Sequence, residues 1–145
     1  MRVLWWVNVC VLLAATAVRA DEVVGYVKTA TPKVYLTHNQ QTETAQPGSA
    51  VYLGTLIKTD AEGSLGVTLK DNTLLSFGPD TEFTMDDFVY NPAAEQLKLD
   101  MRLVKGTLHY ISGVIAKLKP SAVSVKTPTG IIGVRGTRFV VKVEE

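Results

Sequence analysis

Apolar and polar residues alternate along most of the chain from about position 21 onward. In the segment "SLGVTLK", Leu65, Val67 and Leu69 are separated by single small or polar residues. The segments "LKLDMRLV" and "RFVVKV" show the same period of two. Successive side chains of a β-strand leave opposite faces of its sheet, so this period predicts strands that are buried on one face.

Turn-forming residues separate the predicted strands. Segments such as "QPGS", "DAEGS", "KDNT" and "FGPDT" interrupt the alternating runs, which recur at intervals of roughly 8 to 12 residues. No stretch shows a helical stripe, and only "NPAAEQL" predicts a single helical turn. We therefore predict an all-β fold, a single antiparallel β-sandwich of jelly-roll kind. An irregular β-helix-like stack of short strands is the alternative, because short strands with glycine corners suit both folds.

A glycine-rich segment near the C-terminus, "KTPTGIIGVRGTRF", predicts a corner in the chain. Pro128 ends the preceding strand "VSVKT", and Gly130 and Gly133 allow the backbone to bend. Gly136 allows the next strand to start in close quarters, and the Gly-Thr pairs at 54–55 and 106–107 also open strands, where glycine permits a backbone geometry or a close approach that a Cβ would block. For Arg135 we predict a buried or half-buried guanidinium that binds several loop carbonyls together, with contact to a partner as the alternative.

The first twenty residues have the pattern of a cleavable signal peptide. The apolar run "VLWWVNVCVLLAATAV" is too short for a membrane span, and "AVRA" predicts cleavage before Asp21. An uncleaved N-terminal anchor is the alternative. With the signal removed, residues 21–145 form one domain without cysteine, because Cys10 lies in the signal. We expect the protein to be exported to the periplasm, with no stable membrane insertion after cleavage.

Charge is divided unevenly along the chain. From Asp60 to Asp100 there are nine carboxylates and two lysines, whereas residues 101–143 contain eight Lys or Arg and no carboxylate. The two segments either lie side by side and neutralise one another, or the second forms a basic face for an anionic partner. The candidate partner-binding residues on that face are Lys117, Lys119, Lys126 and Arg138.

Several classes of chemistry are excluded by missing residues. The segment "GIIGVRGT" lacks the lysine of a phosphate-binding loop and continues into a strand, so no nucleotide cofactor is expected. The chain has two histidines, His38 and His109, and no motif of a hydrolase or a zinc enzyme. The carboxylates of "DTEFTMDD" lack the spacing of a calcium loop. We predict no enzyme activity, no metal, no cofactor and no nucleic-acid partner.

These motifs, taken in order, resemble the FecR domain, which is named for the periplasmic part of a ferric citrate signalling regulator. The segments "GYVKTATPKVYLT", "GSLGVTLKDNTLLSFGPDTEF" and "MRLVKGTLHY" are similar to its successive strands, and "VKTPTGIIGVRGTRFVV" is similar to its closing signature. Asn72 stands where the family usually has glycine and tolerates the same left-handed turn. The signature residues are Thr127, Pro128, Gly130, Gly133, Arg135, Gly136, Thr137 and Phe139.

The resemblance implies a role in envelope signalling, but three functions remain open. The first is a non-enzymatic periplasmic binding or scaffold module that contacts another envelope protein. The second is an accessory to envelope or metal-uptake signalling. Direct anti-sigma activity is not carried over, because a signal peptide precedes the domain where sigma-regulating members have a cytoplasmic segment and a membrane span. Whether a small molecule binds is left open by the sequence.

The third function is association with carbohydrate or peptidoglycan, which β-sandwich folds often support. It would require aromatic side chains to form a flat stacking platform. Trp5 and Trp6 leave with the signal, so the remaining chain has no tryptophan, which counts against this function. The available aromatic residues are Tyr26, Tyr35, Tyr52, Phe88, Tyr90 and Tyr110.

Overall fold

The structure is a computed structural model that describes residues 22–144. The predicted signal peptide and its cleavage before Asp21 lie outside these residues. Twelve strands fill most of the described chain. They are β1 (Val23–Ala30), β2 (Val34–His38), β3 (Gln41–Thr44), β4 (Ala50–Tyr52), β5 (Leu56–Thr59), β6 (Leu65–Leu69), β7 (Leu74–Phe77), β8 (Glu82–Asn91), β9 (Gln96–Ile111), β10 (Val123–Thr127), β11 (Gly130–Gly133) and β12 (Arg138–Val143).

The strands form one curled, half-barrel sheet that is antiparallel almost throughout. Its first half-sheet has the order β4-β1-β6-β7-β9-β12, and its second has the order β3-β2-β5-β8-β9-β10-β11. The long strand β9 belongs to both halves, and only its pairing with β10 is parallel among the described strands. The predicted all-β, antiparallel fold is confirmed. The jelly-roll sandwich stays a prediction.

The two half-sheets bury their apolar faces in one shared core. Leu65, Val67 and Leu69 are buried together, as their period of two predicts. Phe77 from the first half-sheet meets Phe83 from the second, with ring centroids 4.7 Å apart. Full burial of each such side chain stabilises the fold by about 1.5–3 kcal/mol.

A bend at Gly106 carries β9 from the second half-sheet into the first. Gly106 has a φ of 94°, and a Cβ there would overlap Thr81. The Thr81 hydroxyl accepts a hydrogen bond from the Thr107 N–H (3.0 Å) and donates one to the Gly78 carbonyl (2.9 Å), which fixes the bend. The glycines of all three Gly-Thr pairs have positive φ angles.

The bend decides where the last strands attach. Strands β8 and β7 follow one edge of β9, joined by the turn at residues 78–81. Strand β10 pairs along the other edge at Leu99–Arg102, and β12 pairs at Gly106–Ile111. Residues 103–105 of β9 therefore pair with neither β10 nor β12, and these two strands separate from each other at that point.

Two short elements between β9 and β10 are not predicted by the sequence pattern, a helix α1 (Val114–Leu118) and a 3-10 turn (Pro120–Ala122). The segment "NPAAEQL" contains a single 3-10 turn at Pro92–Ala94, as predicted. Asn72 has a φ of 67°, the left-handed conformation expected where the resemblance places a glycine.

Candidate partner-binding surface

The curled sheet is open along two lines, which we call seams. Within residues 22–144, four strands pair on one side only, and they lie in two pairs. Strands β3 and β4 face each other across a cavity of about 480 Å³, the polar seam. Strands β11 and β12 face each other across a groove of about 1030 Å³, the apolar seam.

The floor of the apolar seam is formed by side chains that face the core. Ile132 pairs across the strands with the fully buried Val125, so it lies on the core side of β11. Val134 and Val141 are buried at the bottom of the groove. Phe139 stacks on the buried Tyr110 with ring centroids 4.6 Å apart. The groove is therefore a continuation of the hydrophobic core to the surface.

Strand β11 is exposed along its whole length. It forms a hairpin with β10 through a turn at Pro128 and Thr129, and β10 ends at Thr127, immediately before the proline. The Thr127 hydroxyl donates to the Gly130 carbonyl (3.0 Å) and closes the turn. Ile131 is 69 % exposed on the outer face and Ile132 is 39 % exposed toward the groove.

The prediction of a buried Arg135 is wrong. Arg135 is exposed and lines the rim of the apolar seam. Ser112 instead ties down the corner: its hydroxyl donates to the Gly136 carbonyl (3.0 Å) and its N–H donates to the Thr137 carbonyl (2.8 Å). The sequence pattern does not reveal this role of Ser112, because its hydrogen-bond partners lie 24 and 25 residues further along the chain.

A buried carboxylate holds the connection between β9 and β10. Asp71 is fully buried in the "KDNT" turn and accepts hydrogen bonds from the Thr73 N–H (3.1 Å) and hydroxyl (2.8 Å). Its carboxylate also accepts the Ile115 N–H (3.1 Å), and its carbonyl accepts the Val114 N–H (2.8 Å). These bonds satisfy amides of the first turn of α1, which has no other cap. The turn therefore anchors the helix that leads into β10.

The structure places the four predicted partner-binding cations at three separate positions. Lys117 lies in α1 and Lys119 directly follows it, and both are exposed. Lys126 lines a cavity of about 600 Å³ with Val104 and Ile131 on the outer face of the second half-sheet. Arg138 lies on the outer face of the first half-sheet, where it lines a cavity with His109. The four do not share one cavity among the described residues.

Charge neutralisation between the two segments is partial. Arg102 of the basic segment pairs with Asp86 of the acidic segment (3.0 Å), whereas Lys98 lies in the acidic segment itself and pairs there with Asp87 (3.1 Å) and Asp100 (3.4 Å). The hydrogen bonds that Lys98 donates to Asp87 and Asp100 raise the pKa of its ammonium group. Within the part of the chain that the structure describes, Lys126, Arg135 and Arg138 form no ion pair. The surface around β11 and β12 therefore keeps an excess of positive charge.

The polar seam differs in its lining. His38 stacks on Tyr52 with ring centroids 4.8 Å apart. Gln41, Thr42 and Glu43 from β3 line the same cavity. The polar seam thus carries hydrogen-bonding groups and a carboxylate where the apolar seam carries isoleucine and valine.

The aromatic residues do not form the platform that glycan stacking would need. Phe88 and Tyr110 are buried in the core. Tyr26 and Tyr35 are the exposed tyrosines, and they lie on β1 and β2, in different half-sheets. The structure therefore gives no support to a stacking surface within residues 22–144.

Between positions 22 and 144, no group of three His, Cys, Asp or Glu side chains is arranged to hold a metal ion. No helix in this range has the length and apolar character of a membrane span.

Comparison with known proteins gives one finding. A family model described as FecR protein matches residues 55–145, from just before β5 to the last residue. Strands β1 to β4 precede the matched segment, but they pair into the same sheet. Neither the curated proteins nor the solved structures gave a match.

Proposed function

The chain belongs to the FecR family, and we propose that it is a non-enzymatic exported module that binds another protein of the cell envelope. The family consists of signalling regulators associated with the envelope. In this proposal residues 1–20 are a signal that is removed before Asp21, and residues 21–145 act in the periplasm. The module serves as an accessory to envelope or metal-uptake signalling, without direct anti-sigma activity.

Strand β11 carries this proposal. An edge strand presents unpaired backbone N–H and C=O groups, and proteins protect such edges with charged residues, proline or covering segments. The four residues of β11 are Gly-Ile-Ile-Gly, all exposed, with no charge among them. An unprotected apolar edge is costly unless a partner covers it, and strand addition to an open edge is a common mode of protein recognition.

The positive charge around this strand supports a protein partner that carries carboxylates. Lys126 lies directly beside β11 in the β10–β11 pairing, and Arg135 follows the strand in sequence. Charges at the border of an interface raise the association rate and select the partner more than they add affinity. The apolar strand would supply the binding energy, and the cations would orient the partner.

Site-specific photo-crosslinking in intact cells tests the proposal. In one variant benzoylphenylalanine replaces Ile131 on β11. In the matched variant it replaces Tyr35, an exposed residue of β2, which lies near the opposite end of the second half-sheet. The expected result is one dominant crosslinked protein from the Ile131 position and none from Tyr35. Replacing Lys126 and Arg135 together by Glu is expected to reduce its yield about tenfold.

Two outcomes would contradict the proposal. Crosslinks of equal yield from Ile131 and Tyr35 would show that no specific surface is used. Capture of glycan strands in place of a protein would favour the carbohydrate-associated function instead.

A further inference from the structure

We propose that the apolar seam is an acceptor groove for one extended, acidic segment of the partner, which completes the sheet between β11 and β12. The inference rests on the proposed function and deepens it, because it assigns the binding mode and the chemistry of the bound segment. The seam is the gap between the strands Gly130–Gly133 and Arg138–Val143.

The first argument is the backbone of the two strands. β11 pairs only with β10, and β12 pairs only with β9, so each offers an open edge within the described residues. Along most of their length the Cα atoms of the two strands lie more than 8 Å apart. Neighbouring strands in a sheet are about 4.8 Å apart, so a strand inserted between two others needs a gap of about 10 Å. A bound segment of four to six residues would be about 13–20 Å long.

The second argument is the apolar floor of the groove. Ile132, Phe139 and Val141 all lie on its core side. An inserted strand directs alternate side chains toward that floor. The bound segment should therefore carry an apolar residue at every second position.

The third argument is charge. Arg135 and Lys142 line the groove, and no carboxylate lines it. Lys142 pairs with Glu144 (3.2 Å), but both side chains are largely exposed, so the pair is weak and can be exchanged. The side chains of the bound segment that point away from the floor would lie beside these two cations. Carboxylates at the intervening positions are the matching chemistry.

The same charges argue against a second copy of this chain as the occupant. Pairing of two β11 strands would bring Lys126 and Arg135 of both copies together, and like charges at an interface are unfavourable. Within the described chain, Asp86 and Asp87 on β8 are already paired with Arg102 and Lys98. An acidic segment of another protein fits better.

Synthetic peptides and the purified full chain test the inference. The first probe is a fluorescein-labelled heptapeptide that alternates glutamate and valine. The second has the same composition with the three valines in one block, and the third has lysine in place of glutamate. Fluorescence anisotropy is expected to show that the alternating acidic peptide binds about tenfold or more tightly than either of the others.

Hydrogen exchange locates the bound peptide. The alternating acidic peptide is expected to slow the exchange of amides in both β11 and β12, and to leave β3 and β4 unchanged. Two neighbouring substitutions provide the matched control. Ile132→Lys places a charge on the floor and is expected to weaken binding about tenfold, whereas Ile131→Lys, on the outer face of the same strand, changes it by less than about twofold. Circular dichroism of both variants shows whether the fold is retained.

The failures of the two proposals can be told apart. Equal binding of all three peptides, binding of none, or protection outside β11 and β12 would overturn the acceptor groove. If photo-crosslinking still captures one envelope protein in that case, the protein-binding function stands and the groove is rejected. If the alternating peptide binds the groove and no envelope protein is captured, the acceptor site stands and the function in the cell must be revised.

Discussion

Each seam contains a strand of four residues that are all exposed, β3 on the polar seam and β11 on the apolar seam. Strand β3 is Gln-Thr-Glu-Thr and its neighbourhood includes the His38–Tyr52 stack. Strand β11 is Gly-Ile-Ile-Gly and borders a groove that reaches the core. Polar side chains and a carboxylate make an open edge a poor template for pairing, whereas an uncharged apolar edge invites it. One opening of the sheet is therefore protected against strand pairing, and the other is open to it.

The largest effect is expected from Gly106→Ala, which should remove the difference between the seams by disrupting both. Alanine at φ 94° is strained, and its Cβ would overlap Thr81. We expect the free energy of unfolding to fall by about 3 kcal/mol or more, measured by urea denaturation followed by circular dichroism. Gly54→Ala is the control, because Gly54 has a φ of 81° but no atom within 4 Å of a Cβ, and it should cost about 1 kcal/mol. Equal losses would show that the contact with Thr81 is unimportant.

Asp71→Asn is expected to loosen the apolar seam selectively. Asparagine presents an NH₂ group where the carboxylate accepts hydrogen bonds from Thr73 and Ile115. The free energy of unfolding should fall by about 2 kcal/mol, because buried donors lose a charged acceptor. Hydrogen exchange should become faster in α1, β10 and β11 and stay unchanged in β3.

The matched control for Asp71 is Asp60→Asn. Within residues 22–144, the carboxylate of the half-buried Asp60 accepts the Glu62 N–H (3.1 Å) and no other hydrogen bond, and asparagine can accept the same bond. We expect Asp60→Asn to lower the free energy of unfolding by less than about 0.5 kcal/mol. Faster exchange in β3 as well as β11 after Asp71→Asn would contradict a selective anchor.

A smaller effect is expected from Ser112→Ala, which removes the hydrogen bond to the Gly136 carbonyl. Loss of this part-buried bond should cost about 1 kcal/mol and accelerate exchange at the start of β12. Ser49→Ala on the polar seam is the control, because it removes an exposed hydrogen bond from the Gln46 N–H. It should lower the free energy of unfolding by about half as much as Ser112→Ala does. The reverse order of the two losses would count against Ser112 as the residue that ties down the corner.

The smallest effect at neutral pH is expected from Tyr110→Phe, beneath the apolar seam. The Tyr110 hydroxyl has no hydrogen-bond partner within residues 22–144, so the substitution should change stability by less than about 1 kcal/mol at pH 7. Burial raises the pKa of Tyr110. As pH rises past about 10, tyrosine in the unfolded chain loses its proton before folded Tyr110 does, so the folded state loses stability. Urea denaturation at pH 7 and at about pH 10.5 should therefore show a smaller alkaline loss for Tyr110→Phe. An unchanged alkaline loss would contradict this.

The strands were predictable because their information is local. The alternation of Leu65, Val67 and Leu69 requires only neighbouring residues, and so does the end of β10 before Pro128. The left-handed Asn72 follows from the same kind of local rule.

The rest depends on contacts between distant positions. Helix α1 has five residues, too few for a periodic pattern, and its cap Asp71 lies 44 residues before Ile115. Arg135 was assigned a structural role from its donor groups alone, but the loop carbonyls are reached by Ser112. The seams arise from the pairing of β9 with four other strands, which no single segment reveals.

The most direct test of the central claim compares one lysine substitution in each seam, Ile132→Lys and Gln41→Lys, in cells. The amount of envelope protein crosslinked to the chain is measured for both variants, with circular dichroism as the check of folding. We expect Ile132→Lys to reduce the amount of captured partner about tenfold and Gln41→Lys to leave it unchanged. Equal capture by both variants, or loss with Gln41→Lys alone, would contradict the claim that the apolar seam is the binding surface.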